Sequence, residues 1–292
     1  MALVKSFAKI NLALEILSKR PDGYHDINTL MQTIDLHDDI ECILSTETRV
    51  TSNDRSLEGD KNIMFKAVEQ FNMQANTDVN VDIILTKRIP VAMGLGGGSS
   101  NAAAILVLMN EMTGARLSLD ELKIIAISIG SDVPFFLYGG TCYVSGTGEI
   151  VEKLKDLHIG NIVLICPKTK LESKTHLLYS LLEDEDFTNG RMVQNLKSNL
   201  NIGLFDEKLL YNGFTQAIER FNPSIIEKKR SIENNIGTNL FITGSGMSMF
   251  GFMKNAEQYD NLVSWSRDKD IDVFRVNTSS ISLGEHDEFS CY

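Results

Sequence analysis

Cysteine is scarce in this 292-residue sequence, and long apolar runs are absent. The four cysteines are far apart and form no C-x-x-C pair, so we expect reduced, mostly structural thiols, as in a cytoplasmic protein. They are Cys42, Cys142, Cys166 and Cys291. The longest apolar run, Ala102–Met109, is far shorter than the roughly 20 residues that a membrane span needs. The sequence therefore predicts a soluble protein that does not act within a membrane.

Basic residues are outnumbered: 28 Lys and Arg stand against 39 Asp and Glu, a formal net charge of −11. Such an acidic chain argues against unspecific binding to nucleic acid or to an anionic membrane. The net negative charge is nevertheless compatible with a local basic pocket for a phosphorylated small molecule. At roughly 150 residues per domain, the length predicts about two domains. We place their boundary between residues 155 and 156, which gives domains 1–155 and 156–292.

Several common nucleotide and hydrolase motifs are missing. The chain contains no Gly-Lys pair, so it has no P-loop of the G-x-x-x-x-G-K-[ST] type. A Rossmann G-x-G-x-x-G pattern that starts at Gly94 reaches Ser99 instead of its last glycine. The H-R-D and D-F-G elements of protein kinases are absent. Neither H-x-x-x-H nor G-x-S-x-G occurs, which argues against zinc peptidases and α/β-hydrolases.

Hydrophobic periodicity predicts a mixture of strands and helices. Between residues 10 and 16, apolar side chains alternate with Asn11, Ala13 and Glu15, which predicts a half-buried strand. Further strands are expected at Asp39–Leu44, Val79–Leu85, Thr141–Ser145, Ile162–Cys166 and Ile271–Val276, with a strand–glycine turn–strand unit at Asn239–Phe252. Helices are expected at Asn62–Phe71, Ser100–Met112, Lys174–Leu182, Glu207–Phe221 and Ala256–Ser266, and from the capping box Ser118–Glu121 to Gly130. Because strands and helices do not alternate regularly, the sequence predicts an α+β fold.

A glycine-rich loop lies between the strand Val79–Leu85 and the helix Ser100–Met112. Glycine lets a backbone approach a ligand closely, and the N–H groups of such a loop and of the next helix form an anion site. A flexible hairpin or a helix cap is the alternative, but the strand, loop and alanine-rich helix together favour a phosphate site. The candidate nucleotide residues are Pro90, Val91, Ala92, Met93, Gly94, Leu95, Gly96, Gly97, Gly98, Ser99 and Ser100.

Three further residues and one glycine turn carry both a chemical and a purely structural interpretation. Asp132, beside Val-Pro-Phe-Phe, is either a helix cap or a carboxylate held for general-base catalysis. Lys9 lies between apolar strand residues, where most lysines extend to the surface. His25 follows Tyr24 and by itself indicates a surface turn. The Gly244-Ser-Gly turn between apolar strands is by itself a tight hairpin.

Taken together, these segments resemble a known superfamily. Ala8–Leu12 (AKINL), the P-x-x-x-G-L-G-G-G-S-S-x-A loop and the Gly244-Ser-Gly turn look like the three motifs of the GHMP kinases. A narrower resemblance is to the 4-diphosphocytidyl-2-C-methyl-D-erythritol kinases. It rests on Arg20–His25 (RPDGYH), on Asp35-Leu-x-Asp38 followed by Asp39, and on Gly130–Phe135 (GSDVPF). The D-G-Y-H element is the specific one, and the likeness extends from Lys5 to about Phe252.

The resemblance implies a two-domain fold, with a ribosomal-S5-like N-terminal domain and a ferredoxin-like C-terminal domain. It also implies transfer of the γ-phosphate of ATP, with Mg²⁺, to the 2-hydroxyl of diphosphocytidyl methylerythritol in non-mevalonate isoprenoid synthesis. By this resemblance Asp132 is the base and Lys9 its charge partner, while the glycine loop surrounds the ATP phosphates and Ser100 is a candidate Mg²⁺ ligand. The acceptor would be bound by Asn11, Tyr24, His25, Thr175 and Tyr179, with Tyr24 stacking on the cytosine, His25 hydrogen bonding to it and Tyr179 as second stacking ring.

Two departures and two alternatives complete this interpretation. Met247 stands where the family commonly has proline after Gly-Ser-Gly, and the tail from about Asn277 matches no motif. The alternatives are another GHMP kinase, acting on mevalonate, homoserine or a sugar, and a nucleotide-binding relative without turnover. The D-G-Y-H segment argues against the first, and the presence of both Lys9 and Asp132 against the second. The expected partner is a small molecule, and the expected state is a monomer or weak dimer.

Overall fold

The computed structural model describes residues 2–168 and 174–284. Its strands are β1 (Ala2–Lys19), β2 (His25–Ser45), β3 (Arg49–Ser52), β4 (Asn80–Thr86), β5 (Thr141–Gly146), β6 (Ile150–Lys153), β7 (Ile162–Pro167), β8 (Tyr211–Asn212), β9 (Phe241–Ile242), β10 (Met249–Phe252) and β11 (Ile271–Val276). Its helices are α1 (Ile63–Ala75), α2 (Gly97–Thr113), α3 (Leu119–Ile129), α4 (Val133–Tyr138), α5 (Lys174–Ser180), α6 (Arg191–Asn201), α7 (Thr215–Phe221), α8 (Pro223–Ile236) and α9 (Ala256–Ser266).

The first sheet is built around two long antiparallel strands. β1 and β2 pair from Ala2↔Cys42 to Lys19↔His25, and the strand order is β3-β4-β2-β1-β8, with β5 on β2 and β6 on β5. The second half of β2 pairs with β4 and the first half with β5. Helices α1 to α4 contribute their apolar side chains to one core with this sheet. The pairing places the start of β2, with His25, at the far end of β1 from the glycine loop.

The second sheet has the antiparallel order β11-β7-β10-β9. Every residue of its central strand β7 is buried. Val163 and Ile165 pack into a core with α7, α8 and α9, while Ile162 and Leu164 pack into a core shared with β1 and α6. Separate sheets with unevenly distributed helices confirm the α+β prediction. The boundary after residue 155 falls between β6 and β7 and stays a prediction.

Most element predictions are confirmed, and two are confirmed to the residue. α9 and β11 have the predicted bounds. Ser118 and Glu121 form the reciprocal capping box that starts α3. Cys42, Cys142 and Cys166 are all buried, and burial raises the pKa of the Cys42 and Cys166 thiols to about 12. Cys291 lies outside the described residues. Within the described ranges, no helix is both long and apolar enough to cross a membrane.

Two predictions about strands and helices are wrong. The segment at residues 10–16 is buried on both faces, since Asn11, Ala13 and Glu15 are 2%, 0% and 1% exposed. The polar face is covered because the Thr243 hydroxyl accepts the Asn11 N–H and α6 covers Glu15. The predicted helix at residues 207–221 is in part a short 3-10 turn and strand β8, and only α7 is helical there. The sequence analysis also missed α6 and α8.

Candidate active site

The glycine loop is held in place by contacts that only glycine permits. Gly96 precedes α2 with φ of 71°, and a Cβ there would lie 2.6 Å from Cζ of Phe136 in α4. The carbonyl of Leu95 accepts the N–H of Lys9, 2.9 Å away, which ties the loop to β1. Among the described residues, no side chain caps the first turn of α2. Its N–H groups and the positive end of the helix dipole therefore remain available to an anion.

A second glycine turn, Gly244–Gly246, packs directly on the first loop. A Cβ on Gly94 would lie 2.7 Å from the backbone nitrogen of Gly246, and a Cβ on Gly246 would overlap the carbonyl of Met93. No side chain could separate the two backbones at this contact. Met247, which departs from the family's proline, is fully buried in the core that the second sheet shares with α7, α8 and α9. Apolar packing therefore anchors this turn.

A cavity of about 380 Å³ lies along the glycine loop. Every residue from Pro90 to Ser99 lines it, together with Lys61, Asn62 and Lys87. Ser100 is not part of this lining: it is fully buried, and its hydroxyl accepts the hydroxyl hydrogen of Ser6 at 2.7 Å. The prediction that Ser100 is a metal ligand is therefore not supported, because its hydroxyl faces β1. Ser99 is the serine that reaches the cavity.

Lys87 and Asp38 form a buried ion pair behind this cavity, with 2.7 Å between Nζ and Oδ2. The other carboxylate oxygen of Asp38 accepts the N–H groups of Arg88 and Ile89 at 2.7 and 2.8 Å. A Cβ on Gly97 would lie 3.0 Å from the Lys87 ammonium, which places this cation beside the start of α2. Burial lowers the pKa of Lys87, an effect that the Asp38 carboxylate opposes. The sequence analysis missed Lys87 because a lysine before a loop has no distinguishing pattern.

Lys9 and Asp132 meet where the two glycine turns converge. The Lys9 ammonium lies 3.5 Å from Oδ2 of Asp132 and 2.6 Å from Oδ1 of Asn11. The Lys9 side chain is 4% exposed and that of Asp132 is 34% exposed. Asp132 occupies the N-cap position of α4, yet its side chain makes no capping hydrogen bond within the described residues. The helix-cap interpretation therefore fails, and the carboxylate faces a buried cation on one side and open space on the other.

A larger cavity, of about 900 Å³, begins at this pair. It brings together all the predicted catalytic and acceptor residues: Lys9, Asn11, Tyr24, His25, Asp132, Thr175 and Tyr179. Ser99 lines both cavities, so they meet at the start of α2. The arrangement can hold an anionic group against the glycine loop and an extended polar molecule between Asp132 and His25.

Aromatic side chains form the far end of the larger cavity. The His25 ring stacks on Tyr179, with centroids 4.6 Å apart and planes at 21°, and Tyr179 meets Phe214 edge-on at 4.9 Å. Tyr24 is 62% exposed at the rim. One face of Tyr179 is thus covered by His25, and its role as the second stacking ring stays a prediction. Burial and, less strongly, the charge of Lys19 lower the pKa of His25.

Helix α5 is tied to the second glycine turn through two hydroxyl groups. Thr175 Oγ1 and Ser245 Oγ lie 2.7 Å apart, so α5 contacts the loop that packs on Gly94. In the part of the chain that the structure describes, no group of three or more His, Cys, Asp or Glu residues could hold a metal ion. Ser99 and Asp132 offer a hydroxyl and a carboxylate on the lining of the larger cavity, oxygen ligands that would suit a Mg²⁺ ion brought in by nucleotide phosphates.

Comparison with known proteins places this architecture in a family. The model for the GHMP kinases N terminal domain matches residues 62–140, which include the glycine loop. Among solved structures, a 4-(cytidine 5'-diphospho)-2C-methyl-D-erythritol kinase superposes with a TM-score of 0.79 at 26% identity, covering 95% of this chain and 99% of that one. A mevalonate kinase from Methanococcus jannaschii gives a TM-score of 0.69 at 16% identity, over 95% of this chain and 98% of that one, a likeness of fold alone.

Relatives at higher identity carry the same enzyme name, 4-diphosphocytidyl-2-C-methyl-D-erythritol kinase. The protein from Thermotoga maritima is 38% identical over 248 residues, which is 84% of this chain and 89% of that protein. The one from Clostridium beijerinckii is 35% identical over 282 residues, or 94% of this chain and 99% of that protein. With this identity over most of both chains, the protein belongs to the 4-diphosphocytidyl-2-C-methyl-D-erythritol kinase family of the GHMP kinases.

Proposed function

We propose that this chain transfers the γ-phosphoryl group of ATP to the 2-hydroxyl of 4-diphosphocytidyl-2-C-methyl-D-erythritol, a step in isoprenoid precursor synthesis. The observation that carries the proposal is the pair of cavities that meet at Ser99. One is lined by glycine backbone and the other runs from Asp132 to His25. A phosphate donor in the first and an alcohol acceptor in the second would meet beside Lys9 and Asp132.

The smaller cavity suits the triphosphate of ATP. Backbone N–H groups at the start of α2 would bind phosphate oxygens, and Lys87 would add a positive charge beside Gly97. Mg²⁺ bound with the nucleotide would neutralise phosphate charge, which is the main requirement of phosphoryl transfer. Ser99, which lines both cavities, would supply a hydroxyl ligand to it.

The larger cavity suits the acceptor. His25 would hydrogen bond to the pairing edge of cytosine and Tyr24 would cover a face of the base, because stacking and edge contacts are how proteins distinguish single bases. Asn11, fixed by Lys9 and by the hydroxyl of Thr29 at 2.8 Å, would hold the erythritol end. Thr175 would contact the middle of the acceptor from α5.

Asp132 would act as the general base. Its carboxylate takes the proton of the acceptor hydroxyl as that oxygen bonds to the γ-phosphorus. The bond from the γ-phosphorus to the oxygen bridging to the β-phosphate breaks, and ADP leaves. Lys9, 3.5 Å from the carboxylate, orients the base and offsets negative charge at the reacting hydroxyl. We further propose that the enzyme works in the cytoplasm as a monomer or weak dimer, in keeping with the buried free thiols of Cys42 and Cys166.

A coupled assay of ADP release with a panel of acceptors tests the proposal. With ATP and Mg²⁺, we expect turnover with 4-diphosphocytidyl-2-C-methyl-D-erythritol and none above background with mevalonate, homoserine or galactose. Turnover with one of these instead would assign the chain to another GHMP activity. ATP binding without turnover on any acceptor would indicate a non-catalytic relative.

A further inference from the structure

The segment after β11, residues 277–284, crosses from the second sheet back to the first domain. We call it the C-terminal strap. Two hydrogen bonds fix its first residue: Asn277 donates its backbone N–H to Oδ1 of Asp35 at 2.9 Å and its side-chain N–H to Oδ2 at 2.8 Å. Ser279 continues the contact by donating its N–H to the carbonyl of Thr33 at 2.8 Å. The strap is thereby fixed along the middle of β2.

The strap ends on the last turn of α4. The Leu137 carbonyl accepts the Ser282 hydroxyl at 2.8 Å and the N–H of Gly284 at 2.9 Å. Leu283 is 4% exposed and packs into the core of the first domain. Gly139, just after α4, has φ of 56°, and a Cβ there would overlap the carbonyl oxygen of Ile281. The C-terminal carbonyls of a helix lack partners within that helix. Here the strap supplies donors to the Leu137 carbonyl, while the Lys153 ammonium donates to that of Tyr138.

Helix α4 depends on such support because it spans only Val133–Tyr138. A helix of this length is unstable by itself, because the free energy needed to nucleate it exceeds what its few backbone hydrogen bonds contribute. Its middle is fixed by Phe136, which contacts the glycine loop at Gly96. Its N-cap residue is Asp132, whose carboxylate has no capping bond among the described residues to hold it. The position of that carboxylate therefore follows the position of α4.

We propose that the strap is a positioning element for phosphoryl transfer. It fixes the C-terminal end of α4 so that Asp132, at the other end, stays beside Lys9. No described strap residue lines either cavity, so Ser282 and Leu283 are positioning residues that act through α4. This inference rests on the proposed function, because it presumes that Asp132 is the base.

The test is the double variant Ser282→Ala/Leu283→Ala, with Ser280→Ala as matched control on the exposed side of the same segment. Because a misplacement of about 1 Å can cost about 100-fold in rate, we expect kcat to fall by about 10- to 100-fold. The KM values for ATP and acceptor should change by less than about threefold, since both cavities keep their linings. Ser280→Ala and the volume-conserving Leu283→Met should keep wild-type kcat.

A double-mutant cycle with Asp132→Asn separates positioning from general destabilisation. If the strap acts through Asp132, the strap substitutions should change the residual kcat of Asp132→Asn by less than about threefold. The same full fall in both backgrounds, or unchanged kcat in the double variant, would overturn the inference. If the double variant does not fold, Ser282→Ala alone should lower kcat by about 2- to 10-fold, the equivalent of one net hydrogen bond, and an unchanged kcat would be decisive against it. Wild-type activity of Asp132→Asn would instead overturn the proposed function.

Discussion

The rings of His25 and Tyr179 lie stacked, with centroids 4.6 Å apart, although His25 begins β2 and Tyr179 lies in the last turn of α5. This contact joins the two sides of the larger cavity, because β2 belongs to the first sheet and α5 packs on the second domain's core. It leaves Tyr24 as the exposed ring beside the proposed cytosine site. His25 is therefore buried in the wall of this cavity, whereas Tyr24 is exposed at its rim.

Tyr24→Ala should weaken acceptor binding without harming the fold. Stacking of a base on an aromatic ring is worth about 1–3 kcal/mol, so we expect the KM for the acceptor to rise about tenfold or more. The KM for ATP and the melting temperature should stay near the wild-type values, because the ring is exposed. Steady-state kinetics with each substrate varied measures this. Tyr24→Phe keeps the ring and should bind as the wild type does; equal losses of both variants would point to the hydroxyl instead.

Stability should fall in acid through His25. Burial lowers the pKa of His25 from 6.5 in the folded state, so the unfolded chain takes up the proton at a higher pH than the folded chain. Above pH 6.5 both states are neutral and no penalty exists; as the pH falls below this value the free energy of unfolding decreases, by at most about 1.4 kcal/mol per pH unit.

Urea unfolding at about pH 5 and about pH 8 tests this sign. The difference between the two should be smaller for His25→Gln than for the wild type. His158→Gln, at an exposed histidine, should leave the difference unchanged. A His25→Gln variant with the full wild-type difference would assign the acid sensitivity to other groups.

Gly96→Ala should disturb the glycine loop, whereas Gly98→Ala should leave it folded. A Cβ at Gly96 meets Phe136 at 2.6 Å in a left-handed backbone conformation, while the nearest atom to a Cβ at Gly98 is 3.6 Å away. Overpacking of this kind costs about 1–3 kcal/mol. Thermal unfolding should show a lower melting temperature for Gly96→Ala and not for Gly98→Ala. Calorimetry should show weaker ATP binding in the Gly96→Ala variant. Equal melting temperatures would mean that Phe136 moves aside freely.

Asp38→Ala should be strongly destabilising, because it leaves the buried Lys87 ammonium and two backbone N–H groups without their acceptor. Removing one partner of a buried pair costs about 3–5 kcal/mol. Asp38→Asn keeps an oxygen for the N–H groups of Arg88 and Ile89 and should lose less. Urea unfolding of both variants gives the comparison; equal losses would show that the charge of Asp38, not its backbone contacts, stabilises the loop.

The parts of the fold that depend on local signals were predictable from the sequence. The capping box that starts α3 and the left-handed glycine before α2 each depend only on residues that are neighbours in the sequence. Helix α6 has no such signal: its N-cap is Gly190, and the carboxylate of Glu15, far away in β1, accepts the N–H of Val193 at 2.8 Å. The same tertiary contact buries Glu15 and explains why an alternating pattern failed to predict a fully buried strand.

Sequence motifs identified most residues of the site, but they did not predict how the individual side chains are oriented. The catalytic and acceptor residues that the resemblance assigned line the larger cavity. Of the glycine loop, Pro90 to Ser99 line the smaller cavity and Ser100 lines neither. Ser99 and Ser100 are neighbours with the same side chain, and only helix phase decides that Ser100 turns inward to Ser6. Lys87 and the strap make contacts with segments that are far away in the sequence. A local sequence pattern does not predict such contacts.

The central claim is that Asp132 is the base of a phosphoryl-transfer reaction. Asp132→Asn keeps the side-chain size but cannot accept a proton, so kcat should fall by about 10²–10⁴ while ATP and acceptor bind nearly as in the wild type. Lys9→Met should also lower kcat, and the two losses should be less than additive, because the residues act as a unit. Asp78→Asn, at an exposed aspartate away from both cavities, is the matched control and should be silent.

The most direct measurement is single-turnover phosphoryl transfer by Asp132→Asn at saturating ATP and acceptor. We expect a slow chemical step on a folded, fully bound enzyme. An Asn variant that retains more than about a tenth of the wild-type rate would contradict it, since even the weak end of the general-base range is larger.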